Sequence, residues 1–281
     1  MTVIAAKSRN ESLQVVTGRL YAHQLGKRLR EIKTIDDNMF QFTFSGMELE
    51  AFRGVIGTVE DTDVIVLQAD RLPPKLFVAD MDSTMIGQEC IDELAAEVGL
   101  KERVAEITER AMRGELDFAE ALRARLALLE GLDVGVIDRL LVERITPNPG
   151  AAELISGLKA AGVRCVLVSG GFTHFAEPIG KRLGFDRVVA NRLEVVDGKL
   201  TGKVEGDIVD AETKRRILLE EAGEEVEHSI AIGDGANDLL MMGAAGLGIA
   251  YRAKPRVAAE ADARLDHAPL DTLLVALGLE D

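Results

Sequence analysis

Two carboxylates two positions apart, Asp80 and Asp82, follow the apolar run Leu76-Phe77-Val78-Ala79. In an extended chain, residues two apart leave the same face, about 6 to 7 Å from each other. Such a pair can divide labour, one attacking as a nucleophile while the other gives and then takes a proton. A capped turn explains the same residues without chemistry, because Asp and Ser are common turn formers. A second acidic pair, Asp234 and Asp238, flanks the turn Gly233-Asp234-Gly235-Ala236-Asn237-Asp238 after another apolar run. Four carboxylates at neighbouring strand ends repel one another unless a hard divalent cation lies among them, and magnesium suits oxygen donors.

Three further features bear on an anionic ligand. Ser169-Gly170-Gly171 ends the run 163–168 just before a helical pattern, so its hydroxyl and backbone N–H groups can hold phosphate oxygens. Lys214 falls in the first turn of a helix starting near Asp210, where a cation opposes the helix dipole. A solvated lysine explains that position; a buried one would hold a phosphate and restrain Asp80. On the helical pattern 117–129 the apolar stripe is Phe118, Leu122, Leu126 and Leu129, with Arg125 near its centre. A charge there is costly unless paired, although a snorkelling arginine fits the periodicity equally well.

The elements that position these residues are legible from punctuation and period. Pro73-Pro74 forbids helix and marks an extended connector, which divides the chain into a small unit, 1–74, and a larger one, 75–281. In the first, Phe40, Phe42 and Phe44 alternate as a strand, 64–67 reads as a closing strand, and Tyr21, Leu25, Leu29 and Ile32 line a helix, giving an α+β unit. Beyond the prolines, the pattern over about 86–145 becomes helical and reads as an insert of several helical segments; Ile91, Leu94, Ala95 and Val98 form one of its stripes. From 146 onward helices at 151–161, 173–183 and 211–222 alternate with strands at 163–168, 187–190 and 229–232, with a hairpin turning at Asp197-Gly198. The alternation predicts an α/β, Rossmann-like parallel sheet, with core segments at 75–85 and 146–281 and a helical cap at 86–145. Ligands bind such sheets at the carboxyl ends of the strands, where Asp80, Ser169 and Asp234 all fall.

The chain of 281 residues carries 33 basic and 48 acidic side chains, a net charge of -15. Residues 1–74 hold 9 basic and 10 acidic residues, so nearly all of the excess belongs to 75–281. That balance argues against nucleic acid and anionic membranes as partners, and an anionic substrate then needs a local cation. No apolar run is long enough to span a bilayer, and Lys7 interrupts the start before a secretory segment could form. Cys90 and Cys165, far apart and outside any CxxC spacing, indicate neither zinc nor a disulfide framework, and a reducing, cytoplasmic setting is expected.

In their order, Asp80-Met81-Asp82-Ser83-Thr84, Ser169, Lys214 and Gly233-Asp234-Gly235-Ala236-Asn237-Asp238 resemble the signature of the haloacid dehalogenase superfamily. Glu89, the stretch 111–118 and Val168-Ser169-Gly170-Gly171-Phe172-Thr173 narrow the resemblance to its phosphoserine phosphatase family, over about 75–275. The resemblance implies magnesium-dependent hydrolysis of O-phosphoserine, the last step of serine biosynthesis, through an aspartyl-phosphate on Asp80 with Asp82 as acid and base. It places the metal on Asp80, the Asp82 backbone carbonyl and Asp234, with Asp238 in support, and the phosphate on Ser169, Gly170, Gly171 and Lys214. It gives Glu89 the substrate ammonium, Arg125 its carboxylate, Asn237 a contact to substrate or loop, and Met112 and Phe118 the walls, though core packing accounts for these last two as well. A phosphotransferase acting on homoserine shares nearly all these motifs, and a non-catalytic amino-acid-binding regulator is the alternative of another class. The ligand of 1–74 and any homo-oligomer are left open.

Overall fold

The computed structural model describes residues 2–6, 29–36, 39–44, 62–67, 71–112 and 115–279. The first strands are β1 (Thr2–Ala6), β2 (Leu29–Asp36), β3 (Met39–Phe44) and β4 (Asp63–Leu67). They form an antiparallel sheet in the order β2-β3-β1-β4. Phe42 is fully buried, as the alternation in β3 requires. The helix expected through Leu29 and Ile32 is instead β2, while Tyr21 and Leu25 lie outside the described residues. The cause is a register shift between Leu29 and Glu31: Leu29 sits opposite Phe44 and Ile32 opposite Phe42, so one extra residue turns a strand spacing of two into an apparent helical spacing of three.

Asp63, at the start of β4, ties this sheet to the rest of the chain. Its buried carboxylate accepts from the backbone N–H groups of Asp266 (2.7 Å), His267 (2.9 Å) and Ala268 (2.7 Å). Bonds to a charged acceptor contribute more than neutral ones, and removing it would strand three donors. Asp63→Ala is expected to cost about 2 to 4 kcal/mol in denaturant unfolding; a loss below about 0.5 kcal/mol would show that water replaces the carboxylate.

The larger sheet contains β5 (Leu76–Ala79), β6 (Arg164–Phe172), β7 (Arg187–Val196), β8 (Lys199–Glu205), β9 (Ser229–Gly233), β10 (Leu247–Tyr251) and β11 (Ala263–Leu265). Their order is β11-β10-β9-β5-β6-β7-β8, parallel except for β8. β7 and β8 form the expected hairpin, with Asp197 (φ 50°) and Gly198 (φ 76°) both in the left-handed region that a tight two-residue turn requires. The central strands are apolar through their middles, Leu76–Ala79, 165–168 and 230–232, because both faces are covered there. Phe77, Ala79, Cys165, Leu167, Ile230 and Ile232 enter one core; Leu76, Val78, Val166, Val168 and Ala231 enter the other.

Helices α1 (Cys90–Glu97), α2 (Lys101–Met112), α3 (Phe118–Ala127) and α4 (Val136–Glu143) form the cap. The core helices are α5 (Ala151–Ala160), α6 (Thr173–Leu183), α7 (Ala211–Ala222), α8 (Leu239–Ala244), α9 (Pro255–Glu260) and α10 (Thr272–Leu277). Ile91, Leu94 and Ala95 bury the α1 stripe as expected; Val98 does not, because it ends the helix as its C-cap and is 37% exposed. A reciprocal capping box between Asp117 and Glu120 starts α3 and thereby sets the heights of Phe118 and Arg125.

The chain enters and leaves the cap side by side. Asn148 donates to the carbonyls of Thr84 (2.8 Å) and Ile86 (3.1 Å), and Gln88 and Thr146 exchange two hydrogen bonds. The cap is therefore held over the carboxyl ends of β5 and β6 by a narrow, well-bonded neck.

Candidate active site

Three adjacent strands, β9, β5 and β6, deliver the polar residues to one end of the sheet. The chain then crosses from β5 to opposite sides, first to β6 and later to β9, which opens the crevice where ligands of such sheets bind. β5 stops at Ala79, and 81–84 forms a turn in which the N–H groups of Thr84 (3.3 Å), Met85 (2.9 Å) and Ile86 (3.0 Å) all donate to the Met81 carbonyl. Asp82 is thus placed by a turn and not by strand alternation, which departs from the extended geometry expected for it. The turn interpretation holds at this position.

Lys214 is fully buried, and its ammonium donates to Asp80 Oδ1 (2.5 Å) and Asp238 Oδ1 (2.7 Å). This resolves its unfavourable place in the first turn of α7, since two carboxylates outweigh a helix dipole effect of about 1 kcal/mol or less. Burial alone would lower the Lys214 pKa, but Asp238 and Asp80 together hold it above the usual lysine value. Asp80 is raised well above the carboxylate range by burial and by Asp238, with Lys214 opposing. Burial, with Asp238 and Glu89, brings Asp234 to about 7; burial and Glu89 bring Asp82 to about 6.

Oxygen atoms of Asp80, Asp234 and Asp238 lie within 4.8 Å of one another, with one ammonium among them. Three buried carboxylates sharing one ammonium, with Asp80 and Asp234 raised in proton affinity, fit a small hard cation. Thr84 supports the arrangement by donating to Asp234 Oδ1 (3.2 Å), and Asp238 Oδ2 accepts from the Gly235 N–H (3.0 Å).

On the other side of Asp82, the Ser169 hydroxyl accepts from the Gly171 N–H (2.8 Å) and approaches Asp82 Oδ2 (3.4 Å). Gly171 is confined by this contact: a Cβ there would stand 2.5 Å from Asp82 Oδ2 and 3.0 Å from Ser169 Oγ. Buried Asn191 fixes the turn by donating to the Gly170 carbonyl (2.8 Å) and accepting from the Val209 N–H (2.8 Å). The ring of Phe118 reaches down from the cap to within 3.0 Å of where a Gly170 Cβ would sit.

Asp80, Asp82, Glu89, Phe118, Arg125, Gly170, Gly171, Asp234 and Asn237 all line one cleft of about 740 Å³ between cap and core, with Ser169, Lys214 and Asp238 buried beneath it. The side chain of Met112 lies outside the described residues. Arg125 is partly buried and donates to the Ala121 carbonyl (3.3 Å) and Thr108 Oγ1 (3.5 Å). Burial lowers its pKa; Glu89, Asp92 and Asp82 oppose that shift. Among the described residues it has no carboxylate in direct contact, so a guanidinium faces the cleft with capacity to bind an anion.

Residues 77–243 match the model of the haloacid dehalogenase-like hydrolases. A phosphoserine phosphatase of Polaromonas sp. is 50% identical over 208 residues, which cover 71% of this chain and 88% of that protein. The chain belongs to the phosphoserine phosphatase family of haloacid dehalogenase-like hydrolases. A Streptomyces coelicolor phosphoserine phosphatase is 45% identical over 247 residues; the match takes in 85% of this chain and 60% of that longer relative. A solved phosphoserine phosphatase described as a phospho-aspartyl intermediate analogue superposes with a TM-score of 0.68 at 42% identity, over 73% of this chain and 99% of that one. The parallel sheet with its cap, expected from the sequence, is the fold of this family.

Residues not singled out from the sequence also reach the cleft. Asp92 and Thr108 come from α1 and α2, and Lys254 from the loop after β10, where its N–H donates to the Asp234 carbonyl (3.2 Å). The only local signal for Lys254 is its place directly before Pro255, the first residue of α9. Among the described residues no helix is long and apolar enough to cross a membrane.

Proposed function

We propose that this chain hydrolyses O-phosphoserine to serine and inorganic phosphate, and so performs the last step of serine biosynthesis. The observation that carries the proposal is the assembly of two carboxylates of unequal surroundings, Asp80 beside buried Lys214 and Asp82 beside Ser169, at the floor of a cleft roofed by Glu89 and Arg125. An Asp80 oxygen attacks phosphorus, and the bond from phosphorus to the serine oxygen breaks. Asp82, whose pKa near 6 leaves both forms accessible, protonates the departing oxygen. It then takes a proton from the water whose oxygen attacks the aspartyl-phosphate, releasing phosphate and restoring Asp80. Ser169, the N–H groups of Gly170 and Gly171, and Lys214 hold the phosphate oxygens.

Asp80, the Asp82 backbone carbonyl and Asp234 would hold Mg²⁺, with Asp238 steadying Lys214 and the Gly235 turn. When bound, the ion offsets phosphate charge and favours the ionised carboxylates. Glu89 and Arg125 take the ammonium and carboxylate of one amino acid, Phe118 forms a wall, and Asn237 contacts the substrate or orients its loop. Residues 1–74 serve as an accessory unit docked through Asp63. The two buried, unpaired thiols suit a reducing cytoplasm.

Phosphate release from O-phosphoserine, with and without Mg²⁺, tests the reading; no magnesium-dependent release would refute it. Arg125→Ala is expected to lower kcat/KM for phosphoserine about 100-fold more than for an aryl phosphate; equal losses would remove Arg125 from carboxylate recognition. Gly171→Ala, which pushes on Asp82 without touching the cap, should lower kcat about 100-fold in a protein of unchanged circular dichroism. An active Gly171→Ala variant would show that Asp82 works in a different position.

A further inference from the structure

We propose that Ser83 is a positioning residue for amino-group recognition, its hydroxyl clamping the Glu89 carboxylate at the edge of the cleft. The inference deepens the function proposed above and rests on Glu89 being the partner of the substrate ammonium.

Glu89 occupies the N-cap of α1, yet its carboxylate makes no capping bond. It turns instead to Ser83, whose Oγ donates to Glu89 Oε1 at 2.6 Å. Glutamate is a poor N-cap residue, because its longer stem does not return readily to the first-turn N–H groups. An exposed glutamate without a partner also samples several rotamers, and fixing it on a ligand carries an entropic cost. A short hydrogen bond to a charged acceptor removes most of that freedom before substrate arrives.

Ser83 is equipped to do this by its backbone. It adopts φ 57°, a left-handed conformation uncommon for a residue other than glycine and one that concentrates at functional sites. Its N–H donates to the Gln88 carbonyl (3.2 Å), while the Cys90 N–H donates to Asp82 Oδ1 (2.9 Å). Three bonds in a row, from Asp82, Ser83 N–H and Ser83 Oγ, thus lock the turn after β5 to the first residues of the cap. The same turn carries the acid and base of the proposed reaction. Ser83 therefore links the position of Glu89, in the cap, to that of Asp82, in the core. Glu89 lines the same cleft as Asp82, Asp234 and Arg125.

The test compares Ser83→Ala, Ser83→Gly and Ser83→Asn with the wild type on phosphoserine and on p-nitrophenyl phosphate, which has no ammonium. Alanine and glycine both lack the hydroxyl, but glycine accepts the left-handed backbone without strain. Asparagine tolerates that backbone and offers an N–H donor. With both Ala and Gly, kcat/KM for phosphoserine should fall about tenfold more than for the aryl phosphate, mostly through KM. Asn should recover part of that selectivity. Unchanged selectivity in Ala and Gly, or a loss mainly in kcat and equal on both substrates, would overturn the clamp and leave Ser83 as support for the turn. A wild type that turns over the aryl phosphate but not phosphoserine would overturn the function proposal itself, and the clamp with it.

Discussion

Asp80→Asn is expected to lower turnover by at least about 10⁴-fold, because an amide oxygen is a poor nucleophile and the covalent route closes. The substitution keeps the shape of the side chain, and its oxygen can still accept from Lys214, so the fold should survive. Stability should rise at neutral pH and above. A carboxylate whose folded pKa is raised stabilises the fold fully below its unfolded value, and that contribution is lost as pH rises through the folded value. Asp80 lies well above its ordinary value and Asp234 lies at about 7. The metal-free wild type should therefore lose stability as pH rises through about 7, and Asp80→Asn should lose less. Melting in chelator between pH 6 and 9, with steady-state turnover in Mg²⁺, checks both parts. Near-normal magnesium-dependent turnover, with deamidation excluded by mass spectrometry, would refute Asp80 as nucleophile.

Lys214→Met is expected to affect activity and stability together. It preserves much of the buried stem but removes the ammonium that donates to Asp80 and Asp238. Breaking a buried ion pair costs about 3 to 5 kcal/mol because the remaining charge has no partner. Here part of the cost is avoidable, since Asp80 already has a raised pKa and can take a proton. The destabilisation should be largest near pH 9 and shrink toward pH 6. Turnover should fall about 10³-fold or more, since a phosphate-binding cation is lost and a protonated Asp80 cannot attack. A variant that kept wild-type melting across that range, or wild-type kcat, would show that Lys214 is not the cation balancing this site.

The legible part of this protein was local. The apolar runs ending in Asp80, Ser169 and Asp234 were readable because a strand buried on both faces is apolar throughout. Lys214 was conspicuous because a cation in the first turn of a helix opposes the dipole. Local reading failed where one residue of register changes the period, as in the bulge that makes Leu29 and Ile32 look helical. It also missed the geometry of Asp82, because a hydrogen-bonded turn and a continuing strand share the residues Asp, Ser and Thr. Asp63, Lys254 and the bond between Ser83 and Glu89 had no periodic or compositional trace, since each depends on a partner from another element.

By itself, then, the sequence determined which groups stand at the strand ends, that the cap is helical, and that an anionic substrate needs cations supplied locally in a chain of net charge -15. The tertiary structure decided which groups meet. Lys214 reaches Asp80 across 134 positions because the parallel crossovers return α7 to β5. Once buried together, these groups acquire proton affinities that neither has in water, and no local stretch of chain encodes that desolvation.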